Sequence, residues 1–515
     1  MNAEGKYTSI RKQDFLRYFL WSLCITLWGT ICFILPDFLD NPVNGWKGFI
    51  AQLVYLIACA IGTFWVIYIV GCNKVINTIF LPLFGLFGAI VSFYRYAFHV
   101  TITPMIIEAT LHTNAEEAYG VISWQLLCWV GLNVLISIFF CRIRQKYINV
   151  SKPWIHTLIA LLLGIGYFTI SPRLHNSLCQ RYPYNIPYNI HNYISLRRSI
   201  TNERIVPLYK VEQVPDSLTI VLILGEAARA DHLQLNGYPR ETTPCLCARR
   251  NVISFPNIYS KQTHTLASLP YILTRADSVY SERQFTETSF VSILHKEHFR
   301  TAWISNQDYG TTFTPLMAEC DTILFANAGK STYVFSSWLD EELLPLLDIM
   351  EKEQAPHKLY ILHTIGSHWY YNNHVPQTQW YFQPVTTNRL VTANSIEQIT
   401  NSYDNTIRYM DYVVNKVIEQ FASKSALILY QSDHGEALGE DNEYLHANET
   451  EMAKHPACFV WYSDKYANLF PEKINALRRN SNKRYRTDYV FYSILSATDI
   501  VADGDSPEVN IFRAE

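Results

Sequence analysis

At 515 residues and a net charge of −3, the chain is too long for one ordinary domain and lacks the basic excess that would draw nucleic acid. Charged residues are only 17% of the total and are placed unevenly: uncharged apolar runs fill roughly the first third, and charge concentrates after it. That asymmetry excludes a uniformly soluble protein and implies a membrane half followed by a water-soluble half.

Five segments are predicted to cross a bilayer, near 15–36, 49–71, 75–94, 121–141 and 154–170, each close to the ~20 apolar residues a span needs. The first follows Lys6, Arg11 and Lys12, with Arg17 at its edge; it is too long for a cleaved signal peptide and no small-residue cleavage site follows it. Lys74 in the connection 72–74, and Arg142, Arg144, Lys146 and Lys152 in 142–152, place those connections in the cytoplasm by the positive-inside rule. The connections 37–48 and 95–120 are poorer in Lys and Arg and carry Asp37, Asp40, Glu108, Glu116 and Glu117. Five spans from a cytoplasmic N-terminus put the rest of the chain outside. Six of the 11 cysteines lie in or beside the spans, and the five beyond them form no obvious framework, so few or no disulfides are expected.

Residues 1–171 are thus expected to be a five-helix transmembrane domain, 172–215 an amphipathic or extended connector, and 216–515 an extracytoplasmic domain. In the connector, "RYPYNIPYNIHNYISLRR" carries Tyr182, Tyr184, Tyr188 and Tyr193, which suit the headgroup zone; an ordinary extended linker is the plainer reading. From 217 the pattern alternates strand and helix. "SLTIVLILGE" (217–226), "KLYILHTIGSH" (358–368) and "SALILYQSDHG" (425–435) are apolar runs ending in polar residues, as buried parallel strands do. "HPACFVWYS" (455–463) is a further strand, and 339–352 and 400–421 are helical, which together predict an α/β domain with a largely parallel central sheet.

Polar groups recur at the strand exits: Glu226, then His363 and His368, then Asp433 and His434, with His446 twelve residues on. Exits of parallel strands converge on one edge, so these residues can share a site. Carboxylate oxygens and imidazole nitrogens suit zinc. Each residue alone is as well explained as a helix cap or a solvated loop group, but three strands ending this way is harder to attribute to chance. A nucleophile is offered by "SKQTHTLASLPYILTR" (260–275), where Thr263, Thr265 and Ser268 remain open alternatives.

The stretch "GEAARADHLQLNGYPRETTP" (225–244) closely resembles the phosphoethanolamine transferases of Gram-negative inner membranes. The resemblance implies an alkaline-phosphatase-like (sulfatase-like) periplasmic domain behind five transmembrane helices. It also implies a zinc ion held by Glu226, Thr265, Asp433 and His434, with Thr265 as the catalytic nucleophile in the register "TLASLP". His368 and His446 then face the phosphate group, and Thr113 and Glu117 in "IEATLHTNAEEA" (107–118) belong to a substrate-binding cluster. The expected Asn of that cluster is Ala109, and Lys261 and Tyr271 stand where many members flank the nucleophile with a disulfide. "TAWISNQ" (301–307) is closer to the branch that decorates sugars of the lipopolysaccharide core.

The activity this implies is transfer of phosphoethanolamine from phosphatidylethanolamine to lipid A or lipopolysaccharide core through a covalent threonine adduct. The enzymatic alternative is a glycerophosphate transferase of the lipoteichoic-acid-synthase kind, against which "GYPRETTP" speaks. The C/S-x-P-x-R sequence that matures to formylglycine in sulfatases is missing around 265. A catalytically dead scaffold would have no need of Glu226, Thr265, Asp433 and His434 together.

Overall fold

The computed structural model describes residues 3–98, 100–112, 123–169, 172–200, 203–213, 215–327, 330, 337–446 and 448–513. The chain divides into two compact units, one built from Met1–Tyr193 with the short stretch Thr387–Ala393, the other from Ile194–Ala328, Ser337–Thr386 and Asn394–Glu515.

The first unit is helical: α1 (Ala3–Gly29, continued by a π-helical turn at Thr30–Ile34), α2 (Gly45–Gly71), α3 (Lys74–Phe98), α4 (Trp124–Tyr147) and α5 (Pro153–Thr169). Among the described residues four helices, not the expected five, are long and apolar enough to span a membrane: Gln13–Ile34, Gly45–Gly71, Lys74–Ala97 and Trp124–Tyr147. The fifth expected span is α5, whose 17 residues rise only about 25 Å against a hydrocarbon core of about 30 Å.

Small residues let these helices approach. A Cβ on Gly85 would lie 2.9 Å from the Asn133 carbonyl oxygen, so α3 and α4 meet backbone to backbone there. Arg144, buried near the end of α4, has no ion-pair partner among the described residues; its guanidinium donates to the carbonyls of Gly71, Cys72 and Ile148. It closes chain ends, a structural use of an intramembrane cation. The connector forms helices at Pro172–Cys179 and Asn185–Ile200. Tyr182 is buried and donates to the Phe84 carbonyl, and Tyr184 donates to that of Gly62. Their hydroxyls complete the helical unit instead of facing headgroups.

The second unit is built on a seven-stranded sheet. Its strands are β1 (Leu218–Gly225), β2 (Val252–Ser254), β3 (Arg300–Ser305), β4 (Thr322–Phe325), β5 (His357–His363), β6 (Ala426–Ser432) and β7 (Cys458–Tyr462). They are ordered β2-β7-β6-β1-β5-β3-β4. Five adjoining strands pair in parallel, while β7, the "HPACFVWYS" strand, is antiparallel to both β6 and β2, so the sheet is mixed. Central β1 is buried at every residue, which is why its sequence is an unbroken apolar run. Register places Gly225 beside Ser432 and Leu224 beside His363, so the exits of β1, β5 and β6 adjoin.

Two helices frame that edge: the short α6 (Thr265–Leu273) and the long α7 (Ile396–Phe421). A reciprocal capping box between Ser395 and Gln398 starts α7. Its buried acids strap down the 229–246 segment. Asp404 takes His232 Nδ1 at 2.7 Å, Arg240 at 2.6 Å and the Tyr238 hydroxyl at 3.0 Å, and Asp411 accepts from the backbone N–H groups of Cys245 and Leu246. The "DHLQLNGYPRETTP" stretch thus has a structural task, fastening the loop after β1 to α7.

Candidate active site

Glu226 is the first residue after β1 and is fully buried. Its position is fixed from behind by Gly366, whose left-handed φ of +46° brings its backbone so close that a Cβ would lie 2.8 Å from the Glu226 carbonyl oxygen. That carbonyl accepts from Ser367 N–H. Asp340 holds the same loop, accepting from the Ile365 and Gly366 N–H groups at 2.8 and 2.9 Å and from the Asn306 amide.

Asp433 and His434 leave β6 next door. Asp433 Oδ1 accepts from the N–H groups of Ala227 and His434, at 3.1 and 2.8 Å. His434 Nδ1 bonds the Gly435 carbonyl at 2.8 Å, so that nitrogen carries a proton and Nε2 is the nitrogen turned toward the two carboxylates. Nε2 lies 3.3 Å from Glu226 Oε1 and 3.4 Å from Asp433 Oδ2. All three atoms are buried, and none has a hydrogen-bond partner among the described residues. Three converging orphaned donor atoms, two carboxylate and one imidazole, are what a metal ion requires and what a hydrogen-bonded core avoids. The donor set fits zinc.

His446 joins them: its ligand atom and those of Glu226 and His434 all lie within 4.8 Å of one another. His368 sits beside it, the two rings 5.5 Å apart, with its Nδ1 on the Trp369 carbonyl. Of the three candidate hydroxyls, those of Thr263, Thr265 and Ser268, Thr265's is the one that reaches this cluster, donating to Glu226 Oε2 at 2.9 Å. Thr265 opens α6, where the helix N-terminus favours negative charge.

Electrostatics agree with a cation site. Burial alone would push Glu226 up, but the His434 imidazole on it, with His368 and His446 further off, holds it well below the usual carboxylate range. Burial and the Glu226 charge push Asp433 up to about 7. Burial opposes the charge on His434, yet Asp433 and Glu226 outweigh it and raise the imidazole to about 10. A cation between the two carboxylates would let both ionise. Burial lowers His368, whereas Glu436 outweighs burial and raises His446.

His363, another polar strand-exit residue, is elsewhere. It packs edge-on against Trp303 and Phe313, with ring centroids 5.7 and 5.4 Å away, and burial lowers it to about 4. Thr113 and Glu117 lie outside the described residues. Two further site residues carry no flag in the sequence reading. Gln307, leaving β3 in "TAWISNQ", donates to Glu226 Oε2 at 3.0 Å and to the Thr364 carbonyl. Glu436, two residues past His434, is buried and accepts from His446 Nδ1 at 2.9 Å and from the Tyr371 hydroxyl at 2.9 Å. Both were findable as polar residues beside a strand exit.

Comparison with known proteins places this geometry. Residues 219–500 match the Sulfatase family model, and residues 60–172 match the family described as phosphoethanolamine transferase EptA/EptB. Phosphoethanolamine transferase EptA of Escherichia coli (strain K12) is 27% identical over 460 residues, covering 81% of this chain and 82% of that protein. The integral membrane lipooligosaccharide phosphoethanolamine transferase A from Neisseria meningitidis shares the fold, with a TM-score of 0.54 at 21% identity over 96% of this chain and 98% of that one. So does the C-terminal periplasmic domain of EcEptC from Escherichia coli, solved in complex with Zn, with a TM-score of 0.54 at 24% identity over 60% of this chain and 89% of that one. With more than half its length in the family model, the chain belongs to the sulfatase family, and its membrane segment is similar to that of the phosphoethanolamine transferases EptA/EptB.

Proposed function

We propose that the chain moves phosphoethanolamine from phosphatidylethanolamine to lipid A or lipopolysaccharide core, through a covalent adduct on Thr265. It sits in the bacterial inner membrane with its catalytic domain in the periplasm. The observation that carries this reading is the Thr265 hydroxyl lying 2.9 Å from Glu226, beside three orphaned donor atoms. Glu226, Asp433, His434 and Thr265 would hold one zinc ion. Bound there, zinc supplies Lewis acidity, easing ionisation of a hydroxyl and screening phosphoryl oxygens.

The chain's own groups account for the proton and bond changes. Thr265 Oγ1 attacks phosphorus; the new O–P bond forms as the P–O bond to diacylglycerol breaks. The threonine proton passes to Glu226 Oε2, and diacylglycerol leaves with a proton from His368 or His446. An acceptor hydroxyl or phosphate oxygen then attacks the same phosphorus, and Thr265 leaves and recovers its proton. Gln307 and Gly366 hold Glu226 in place throughout. Thr113 and Glu117 are proposed to receive the ethanolamine ammonium. The glycerophosphate alternative is the weaker reading, because the membrane half matches EptA/EptB.

Mass spectrometry of lipids and lipopolysaccharide from cells with and without the protein tests this reading. A gain of one phosphoethanolamine on lipid A or core is expected, dependent on Thr265. A gain of glycerophosphate, or no change in either, would overturn it.

A further inference from the structure

The membrane unit holds a groove that the transfer chemistry does not use. It opens between α1, α2 and α5, measures about 530 Å³ and is walled by Phe15, Phe19, Trp65, Ile159, Leu163 and Tyr167 among others. The polar groups on its walls are paired within the protein. Tyr68 OH meets His156 Nδ1 at 2.8 Å, Trp65 Nε1 donates to the Ala160 carbonyl at 2.6 Å, and Tyr167 OH donates to that of Ala58. An occupant therefore meets hydrocarbon and ring faces and is asked for no hydrogen bond. Leu163 is 68% exposed, so the groove opens sideways to the surroundings of the helices, which for spanning helices is lipid.

The depth and the charge of one end define the occupant. From His156 to Tyr167, α5 rises about 16 Å, close to half the ~30 Å hydrocarbon thickness, so the groove is one leaflet deep. Its Tyr68–His156 end lies at the helix termini where Lys74 follows α2 and Lys152 precedes α5. In the stretches 6–17, 72–74 and 142–152 around those termini, Asp14 is the only acid among many bases. Arg17 and Lys152 are exposed there, and neither has an ion-pair partner among the described residues. By the positive-inside rule this end is cytoplasmic.

We propose that the groove binds an anionic phospholipid of the cytoplasmic leaflet, one acyl chain lying between α1, α2 and α5 and the headgroup phosphate against Lys152. The bound lipid is not the phosphoethanolamine donor, since it lies in the leaflet facing away from the periplasm. Its acyl chain packs along α5.

The test uses the full chain reconstituted in vesicles of equimolar phosphatidylglycerol and phosphatidylethanolamine, re-extracted in mild detergent, with retained lipid measured by mass spectrometry. Phosphatidylglycerol should be retained over phosphatidylethanolamine by about five-fold, the scale of one lysine's attraction at a membrane surface. Leu163→Trp, which fills the groove, should abolish retention. Leu135→Trp, at a position 67% exposed on α4, should leave it unchanged and so controls for general disturbance. Lys152→Gln should bring the two lipids to equal retention without losing the acyl chain. No enrichment in the wild type, enrichment of phosphatidylethanolamine, or full retention in Leu163→Trp would each overturn the proposal.

Discussion

Glu436 and His446 form a carboxylate–imidazole pair at the edge of the candidate metal site: Oε2 accepts from Nδ1 at 2.9 Å, while the Tyr371 hydroxyl occupies Oε1. The pair decides which ring nitrogen His446 turns toward Glu226 and His434. Glu436→Gln keeps the shape and removes the charge. Transfer should fall about 10- to 100-fold, the usual cost of losing a carboxylate that orients a site histidine, with little change in melting temperature. Steady-state kinetics beside a thermal melt check this, and an unchanged rate would mean His446 needs no such hold.

Gly366 should tolerate no side chain. Alanine there would adopt a left-handed φ at a cost of about 1–2 kcal/mol, and its Cβ would press on the Glu226 backbone at 2.8 Å. Gly366→Ala should therefore lower both stability and metal content. Denaturant melts and metal analysis on one sample measure both; a variant with full metal and full stability would contradict the close approach.

Metal removal should expose a conflict built into the site. Glu226 and Asp433 are both buried, and the charge of the first raises the second. Asp433→Asn keeps an oxygen for the Ala227 and His434 N–H groups but removes the like charge. Stripped of metal, this variant should be more stable than the stripped wild type, by about 1–3 kcal/mol, the scale of an ill-satisfied buried polar group. It should also bind zinc poorly and lose transfer. Equal melts for the two stripped proteins would argue against strain between the acids.

Glu117 bears on the donor. If it receives an ammonium in a partly desolvated cleft, the pair is worth more than a surface ion pair. Glu117→Gln should impair turnover of phosphatidylethanolamine yet barely change hydrolysis of a small soluble phosphodiester by the same protein. Unchanged lipid turnover would mark 107–118 as a solvated connection.

Much of the frame was legible because it rests on local pattern. β1, β5 and β6 are buried strands, and burial on both faces writes itself as unbroken apolar sequence. Their polar exits pointed to Glu226, Asp433 and His434, which the structure brings side by side. His363 misled for a physical reason: it pairs with Leu224, cross-strand partners share a face, and that face is the apolar core. The choice of Thr265 over Thr263 and Ser268 came from family resemblance, since three hydroxyls within one turn and a half carry equal local signals. Asp340 was illegible because it acts through a loop, 25 to 26 residues from the N–H groups it holds, whereas Gln307, 81 residues from Glu226, carries only the weak signal of a polar residue beside a strand exit. The span count failed on a margin of a few residues, where apolar composition in α5 resembles a full crossing but its length falls short.

The covalent threonine adduct is the account's central claim, and peptide mass spectrometry after brief exposure to headgroup-labelled phosphatidylethanolamine tests it most directly. The labelled phosphoethanolamine should appear on Thr265 alone, be lost when lipopolysaccharide acceptor is added, and be missing from Thr265→Ala. Product formed with no adduct on Thr265, or an adduct that survives in Thr265→Ala, would contradict it.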